Sequence, residues 1–115
     1  MHTEELLRRL ALNDEKAVRA AVGARPATVG DDVLDARTSA LVRLAALLTL
    51  GAPTSSYRVG VERARAAGAG DDEIVAVLVA VAPVIGGARL VGAAPRLALA
   101  IDYDVEDVTE VSDAG

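Results

Sequence analysis

The chain has 115 residues, with 12 Lys and Arg against 17 Asp and Glu for a net charge of −5, and 52% of its residues are apolar. That length holds about one domain, and 24 alanines against two aromatics, Tyr57 and Tyr103, predict a shallow core of Ala, Val and Leu. The absence of cysteine excludes a disulfide framework, a thiolate zinc site and a thiol redox cycle, and a lone histidine at His2 argues against a His-centred catalytic or metal site.

Helical periodicity runs along the chain. Leu6, Leu7 and Leu10 form one stripe with Glu4, Glu5, Arg8 and Arg9 opposite, and Thr3 is placed to cap this first helix. Asn13-Asp14 ends it and caps a second, which carries Ala17, Val18, Ala21 and Val22 at helical spacing until Gly23 stops it. Pro26, Gly30 and Asp31-Asp32 mark a connector over 24–33. Residues 1–23 are too few to fold alone, so this helical pair is expected to pack on the main domain.

The main domain spans 34–101. Asp35 is placed to cap its first helix, whose apolar face is Leu34, Leu41, Leu44, Ala45, Leu47 and Leu48, with Arg37 and Arg43 off it. Gly51-Ala52-Pro53 ends that helix and the hydroxyls of Thr54-Ser55-Ser56 start the next. It turns Tyr57, Val61, Ala64 and Ala67 inward and Arg58, Glu62 and Arg65 outward, with Glu62 in reach of Arg58 or Arg65. Gly68 suits a helix end, and Gly70-Asp71-Asp72-Glu73 a helix start with acids in its first turn. From Ile74 to Ala82 every residue is apolar, which predicts a helix buried on all sides. Pro83 is expected to break or kink it, and a last helix, from about Ala88 to Ile101, to kink or start late at Pro95.

Six of the acids (Asp102, Asp104, Glu106, Asp107, Glu110 and Asp113) lie in the segment 102–115, which has no base. Without it 12 bases face 11 acids, so the body is near neutral and carries no electrostatic footprint for nucleic acid or an anionic membrane. The tail is expected to be flexible. Glu4 and Glu5 precede any apolar run, unlike a secretion signal, and the longest apolar stretch, Ile74 to Ile85, falls short of the roughly 20 residues of a membrane span. A cytoplasmic location is expected. The apolar excess, with a helix that has no polar side, predicts burial between subunits and hence a homo-oligomer.

Three segments follow one another in a telling order: Leu34-Asp35-Ala36-Arg37-Thr38-Ser39-Ala40-Leu41-Val42-Arg43-Leu44, then Ala66-Ala67-Gly68-Ala69-Gly70-Asp71-Asp72-Glu73-Ile74, then Val81-Ala82-Pro83-Val84-Ile85-Gly86-Gly87-Ala88-Arg89. In these about 70 residues the chain resembles the carboxymuconolactone decarboxylase family, whose fold is shared with the alkylhydroperoxidase D-like proteins, and specifically a Cys-free branch of it. The resemblance implies an all-α domain of about six helices, assembled as a ring-like trimer or hexamer. Redox members of that family use a Cys-x-x-Cys pair, a His four residues after the second Cys and a Glu on the preceding helix. Carried over, the cysteines fall on Pro53 (or Ala52, if the loop differs by one residue) and Ser56, the His on Gly60 and the Glu on Ala40. Each position is chemically empty here. The lactone decarboxylases keep the His for proton transfer, and Gly60 cannot move a proton.

The residues left near that family pocket are Ser55, Ser56, Tyr57, Arg58 and Glu62, with Arg89 on a later segment. Tyr57 can donate a proton and Arg58 can clamp a carboxylate. Each also has an ordinary reading: the serines as helix caps, Tyr57 as a packing anchor, Arg58 and Glu62 as a solvated pair, Gly60 as a close approach of helices. Arg89 is either paired at a subunit interface or lines a pocket. The adjacent acids Asp31-Asp32 and Asp71-Asp72 share no helical face, so neither metal nor organic cofactor is implied. The expected function is a non-redox, oligomeric ligand- or partner-binding protein; the alternative is a divergent enzyme acting on a small carboxylated or lactone-like metabolite.

Overall fold

The computed structural model describes residues 2–23 and 33–102. All regular structure among them is helical: α1 (Thr3–Ala11), α2 (Glu15–Val22), α3 (Ala36–Leu50), α4 (Thr54–Ala66), α5 (Asp71–Ile85) and α6 (Gly87–Ala100). The expectation of an all-α chain of six helices therefore holds. The chain divides into two compact units, Met1–Ala36 and Arg37–Gly115. The acidic tail lies outside the described residues beyond Asp102, and so does most of the connector. No described helix is long and apolar enough to cross a membrane.

In the first unit α1 ends on Asn13 in a left-handed conformation (φ 58°). The Asn13 amide donates to Leu10 O (3.1 Å) and the Asp14 amide to Arg9 O (2.8 Å), which satisfies two of the carbonyls a helix end leaves open. The Asp14 carboxylate then accepts from the Ala17 amide at 3.1 Å and caps α2, as its position suggested. Thr3 does not cap α1: the helix already includes it, and the capping position falls on His2, whose carbonyl accepts from the Leu6 amide (2.9 Å).

The second unit is punctuated by glycines where the chain needs a left-handed residue. Gly51 (φ 66°) ends α3 and Gly68 (φ 97°) ends α4, each in the same paired pattern of amide-to-carbonyl bonds. At Gly68 these run from its own amide to Arg65 O (3.0 Å) and from the Ala69 amide to Ala64 O (2.9 Å). The hydroxyls expected to cap α4 lie inside its first turn instead. Pro53 takes the capping position in extended geometry (φ −67°, ψ 159°), and its carbonyl accepts from Ser56 (2.9 Å) and Tyr57 (3.2 Å). α5 starts as the acids suggested, with the Glu73 carboxylate reaching back to the Gly70 amide at 3.2 Å. Neither proline breaks its helix: α5 runs through Pro83 to Ile85, and α6 starts at Gly87 and runs through Pro95.

The core is built from Leu44 and Leu48 of α3, Tyr57, Val61 and Ala64 of α4, Ile74 and Leu78 of α5, and Ala93 and Leu97 of α6. Each fully buried aliphatic side chain contributes about 1.5–3 kcal/mol. At Gly60 the side chains of α3 pack against the backbone of α4, since a β-carbon there would stand 3.1 Å from Leu47 Cδ1 and 3.2 Å from Leu44 Cδ1. Arg65, expected to face outward, is half-buried and joins three helices. It donates from Nε and Nη2 to the two carboxylate oxygens of Asp71 (2.9 and 3.2 Å) and from Nη2 to Ile101 O (3.2 Å). The ends of α4 and α6 are thereby tied to the start of α5 by charge-assisted bonds.

Two further expectations are corrected. Glu62 forms no pair with Arg58 or Arg65, because Arg65 is engaged at Asp71 and Arg58 stands 4.0 Å from Asp102. The chain by itself does not bury α5 on all sides: Ile74 and Leu78 are buried, but Val75, Val79 and Val84 are 37%, 65% and 82% exposed.

Gly60→Ala is expected to destabilise the fold by about 1–3 kcal/mol in denaturant titration despite the better helix propensity of alanine, because two core leucines must move. Arg65→Met is expected to cost about 1–2 kcal/mol in the same measurement, through loss of the Asp71 and Ile101 bonds.

Candidate functional site

The end of α3 leaves carbonyls that the left-handed turn at Gly51 does not use up. The Thr49 hydroxyl turns back to donate to Ala45 O at 2.9 Å, while the carbonyl of Thr49 lacks the usual helical donor four residues on because residue 53 is a proline without an N–H. Two arginines of α6 answer this. Arg89 donates from Nη1 to Thr49 O (3.2 Å) and Arg96 from Nη1 to Ala52 O (3.5 Å), placing positive charge at the negative end of the α3 dipole.

Arg89 and Arg96 are seven residues apart, two turns of helix, so they share a face of α6 with Gly92 and Ala93 between them. This face, the end of α3 and Tyr57 of α4 enclose a cleft of about 220 Å³. Leu48 and Leu50 give it an apolar wall. Tyr57 is fully buried, and its hydroxyl has no hydrogen-bond partner among the described residues. A hydroxyl so placed is a donor and acceptor waiting for a group that fits.

Of the residues singled out from sequence, the cleft unites Tyr57 and Arg89. Ser55 is exposed in the first turn of α4 and Ser56 is half-buried there, while Arg58 and Glu62 are exposed, and none of the four lines the cleft. Arg96, Thr49 and Gly92 line it without having been singled out. The spacing of Arg89 and Arg96 is the signal that points to them, and Pro95, read as a kink or a late start of the helix, obscures it.

The positions onto which the resemblance carries the family's redox groups hold no thiol, imidazole or carboxylate. Ala40 is buried on α3, Pro53 occupies the capping position of α4, and Ala52 and Ser56 are half-buried. Gly60 is buried, with Leu44 and Leu47 in the space a side chain would enter.

No curated protein and no solved structure matches the chain. The model of the Carboxymuconolactone decarboxylase family matches it over residues 15–99, from the first turn of α2 to the last turn of α6. With nearly three quarters of its length matched, and α3, α4, α5 and all but the last residue of α6 within that span, the chain belongs to the carboxymuconolactone decarboxylase family.

Proposed function

We propose that the chain is a non-redox member of this family that works in the cytoplasm as a homo-oligomer, a trimer or hexamer, and binds a small carboxylated ligand in the cleft beside Tyr57. The observation that carries the reading is the buried, unpartnered hydroxyl of Tyr57, a residue that lines a cleft flanked by two guanidinium groups. Each guanidinium has five N–H donors, and the bonds to Thr49 O and Ala52 O use one of each. The remaining donors and the phenol suit a carboxylate, whose two oxygens accept about four bonds.

The redox chemistry of the family has no support in these residues. The chain contains no sulfur nucleophile, and the packing of Leu44 and Leu47 against Gly60 leaves no room for an imidazole at that position. Catalysis on a carboxylated or lactone-like metabolite is the second reading, and it draws on the same phenol as proton donor. The cleft lining includes neither a carboxylate nor an imidazole, however, so no group there is suited to take the proton back. Retention of a ligand needs only the donors already present.

The homo-oligomer rests on a different surface. Val75, Val79 and Val84 of α5 are exposed. On a different side of α5 from Val75 and Val79, Leu41, Val42 and Ala45 of α3 and Val77, Ala80 and Val81 of α5 line an apolar trough of about 230 Å³. A surface of this kind is what a second copy of the chain would cover.

Calorimetric titration with benzoate and short aliphatic carboxylates tests the ligand. Tyr57→Phe is expected to weaken binding about tenfold while leaving the fold as stable or about 1 kcal/mol more stable, because it removes a buried hydroxyl without a partner. Equal binding by the two proteins would remove the cleft from consideration. Light scattering tests the assembly: a mass of three or six times the 11.8 kDa chain is expected, with Val79→Glu shifting it toward the single chain. A monomeric unaltered protein would contradict the oligomer.

A further inference from the structure

Two glycines lie within helices of the second unit, away from the ends, and packing explains only one of them. At Gly60 a β-carbon would crowd Leu47 and Leu44, whereas at Gly92, in the middle of α6, it would meet nothing within 4 Å. Backbone conformation does not call for glycine at 92 either, since the positive-φ glycines are Gly51, Gly68 and Gly86. A glycine inside a helix lowers stability relative to alanine, through the backbone freedom it gives up on folding. Gly92 is thus a cost to the helix that no neighbour in the chain requires.

Its position supplies a reason. Gly92 lines the same cleft as Tyr57, whose hydroxyl is unpartnered, on the face of α6 between Arg89 and Arg96. We propose that Gly92 is the size-selecting residue of the cleft: its missing side chain is the space in which the carbon body of a small carboxylate lies. The carboxylate itself meets Tyr57 and a guanidinium, and the body rests against bare helix backbone at Gly92 and the apolar side chain of Ala93. The inference rests on the ligand-binding reading above and adds the residue that decides which carboxylates fit. An alanine at 92 intrudes by one methyl group, and a leucine fills much of a cleft of about 220 Å³.

The test is calorimetric titration of the full chain and of Gly92→Ala and Gly92→Leu with acetate, butyrate, hexanoate and benzoate, with melting temperature and solution mass measured for each protein. The unaltered chain is expected to bind hexanoate or benzoate more tightly than acetate. Gly92→Ala is expected to weaken those larger acids about tenfold, the scale on which a misfitted methylene is felt in an apolar pocket, and to leave acetate unchanged. Its melting temperature is expected to rise by about 4 °C, from the gain in helix propensity, with the mass unchanged. Gly92→Leu is expected to retain acetate alone. Wild-type affinities across the series in Gly92→Ala would overturn the inference and leave the binding reading standing. A fall in mass for Gly92→Ala would assign the glycine to a contact between copies and also overturn it. If the unaltered chain binds none of the four acids, the binding reading fails and the inference with it.

Discussion

The arrangement of the second unit depends on a tyrosine buried in a core otherwise made of small aliphatic side chains. Tyr57 is the largest fully buried residue, and α3, α4 and α6 all supply neighbours in the same cluster. A phenol ring gives such a core the volume that alanine cannot, but it brings a hydroxyl into a region with no partner for it. Leaving a polar group of this kind unpaired costs about 1–3 kcal/mol. Phenylalanine would fill the same volume without that cost, so packing alone does not account for the oxygen, whereas the ligand proposed for the cleft does. This is the local conflict between stability and structure that marks functional positions.

The two arginines of α6 have a double character that follows from where α3 stops. As charges placed at a helix C-terminus they stabilise the end of α3, and as guanidinium groups with donors to spare they form the rim of the cleft. The same bonds that hold α6 against α3 therefore orient the rim. Arg65 works differently. Three of its N–H bonds go to Asp71 and to the carbonyl of Ile101, within one connected junction of three helices, and it serves the scaffold. A carboxylate partner within the fold thus sets Arg65 apart from Arg89 and Arg96, which bond backbone carbonyls.

Much of this was legible in the sequence, because the signals were local. Glycine followed by small residues ended α3 and α4 where left-handed backbone was needed, and Asp71 to Glu73 opened α5. Family resemblance was carried by the same punctuation. Capping hydroxyls were misjudged at Thr3 and at Thr54 to Ser56, since neighbouring residues with extended backbone, His2 and Pro53, took those positions first. The chain by itself meets the burial expected of α5 only in part, because a run of apolar residues reports what a helix avoids, namely water, and says nothing of which molecule covers it. Of the cleft, Tyr57 and Arg89 were foreseen. Arg96 was hidden behind Pro95, and Gly92 was invisible in the sequence because an unneeded glycine is recognised only once the empty space around it is known.

The junction between α5 and α6 carries a mechanical consequence. A single residue, Gly86, separates the two helices, in a conformation (φ 82°, ψ 167°) open to glycine alone. The direction in which α6 leaves is thus governed by one pair of torsions. With a rise of 1.5 Å per residue, Arg96 sits about 14 Å along the arm from Gly87, so a swing of about 10° at the pivot displaces it by about 2 Å. That is more than a hydrogen bond tolerates. The alignment of the cationic rim is therefore decided at a remote elbow that touches no ligand, and any side chain introduced there would unsettle it from a distance.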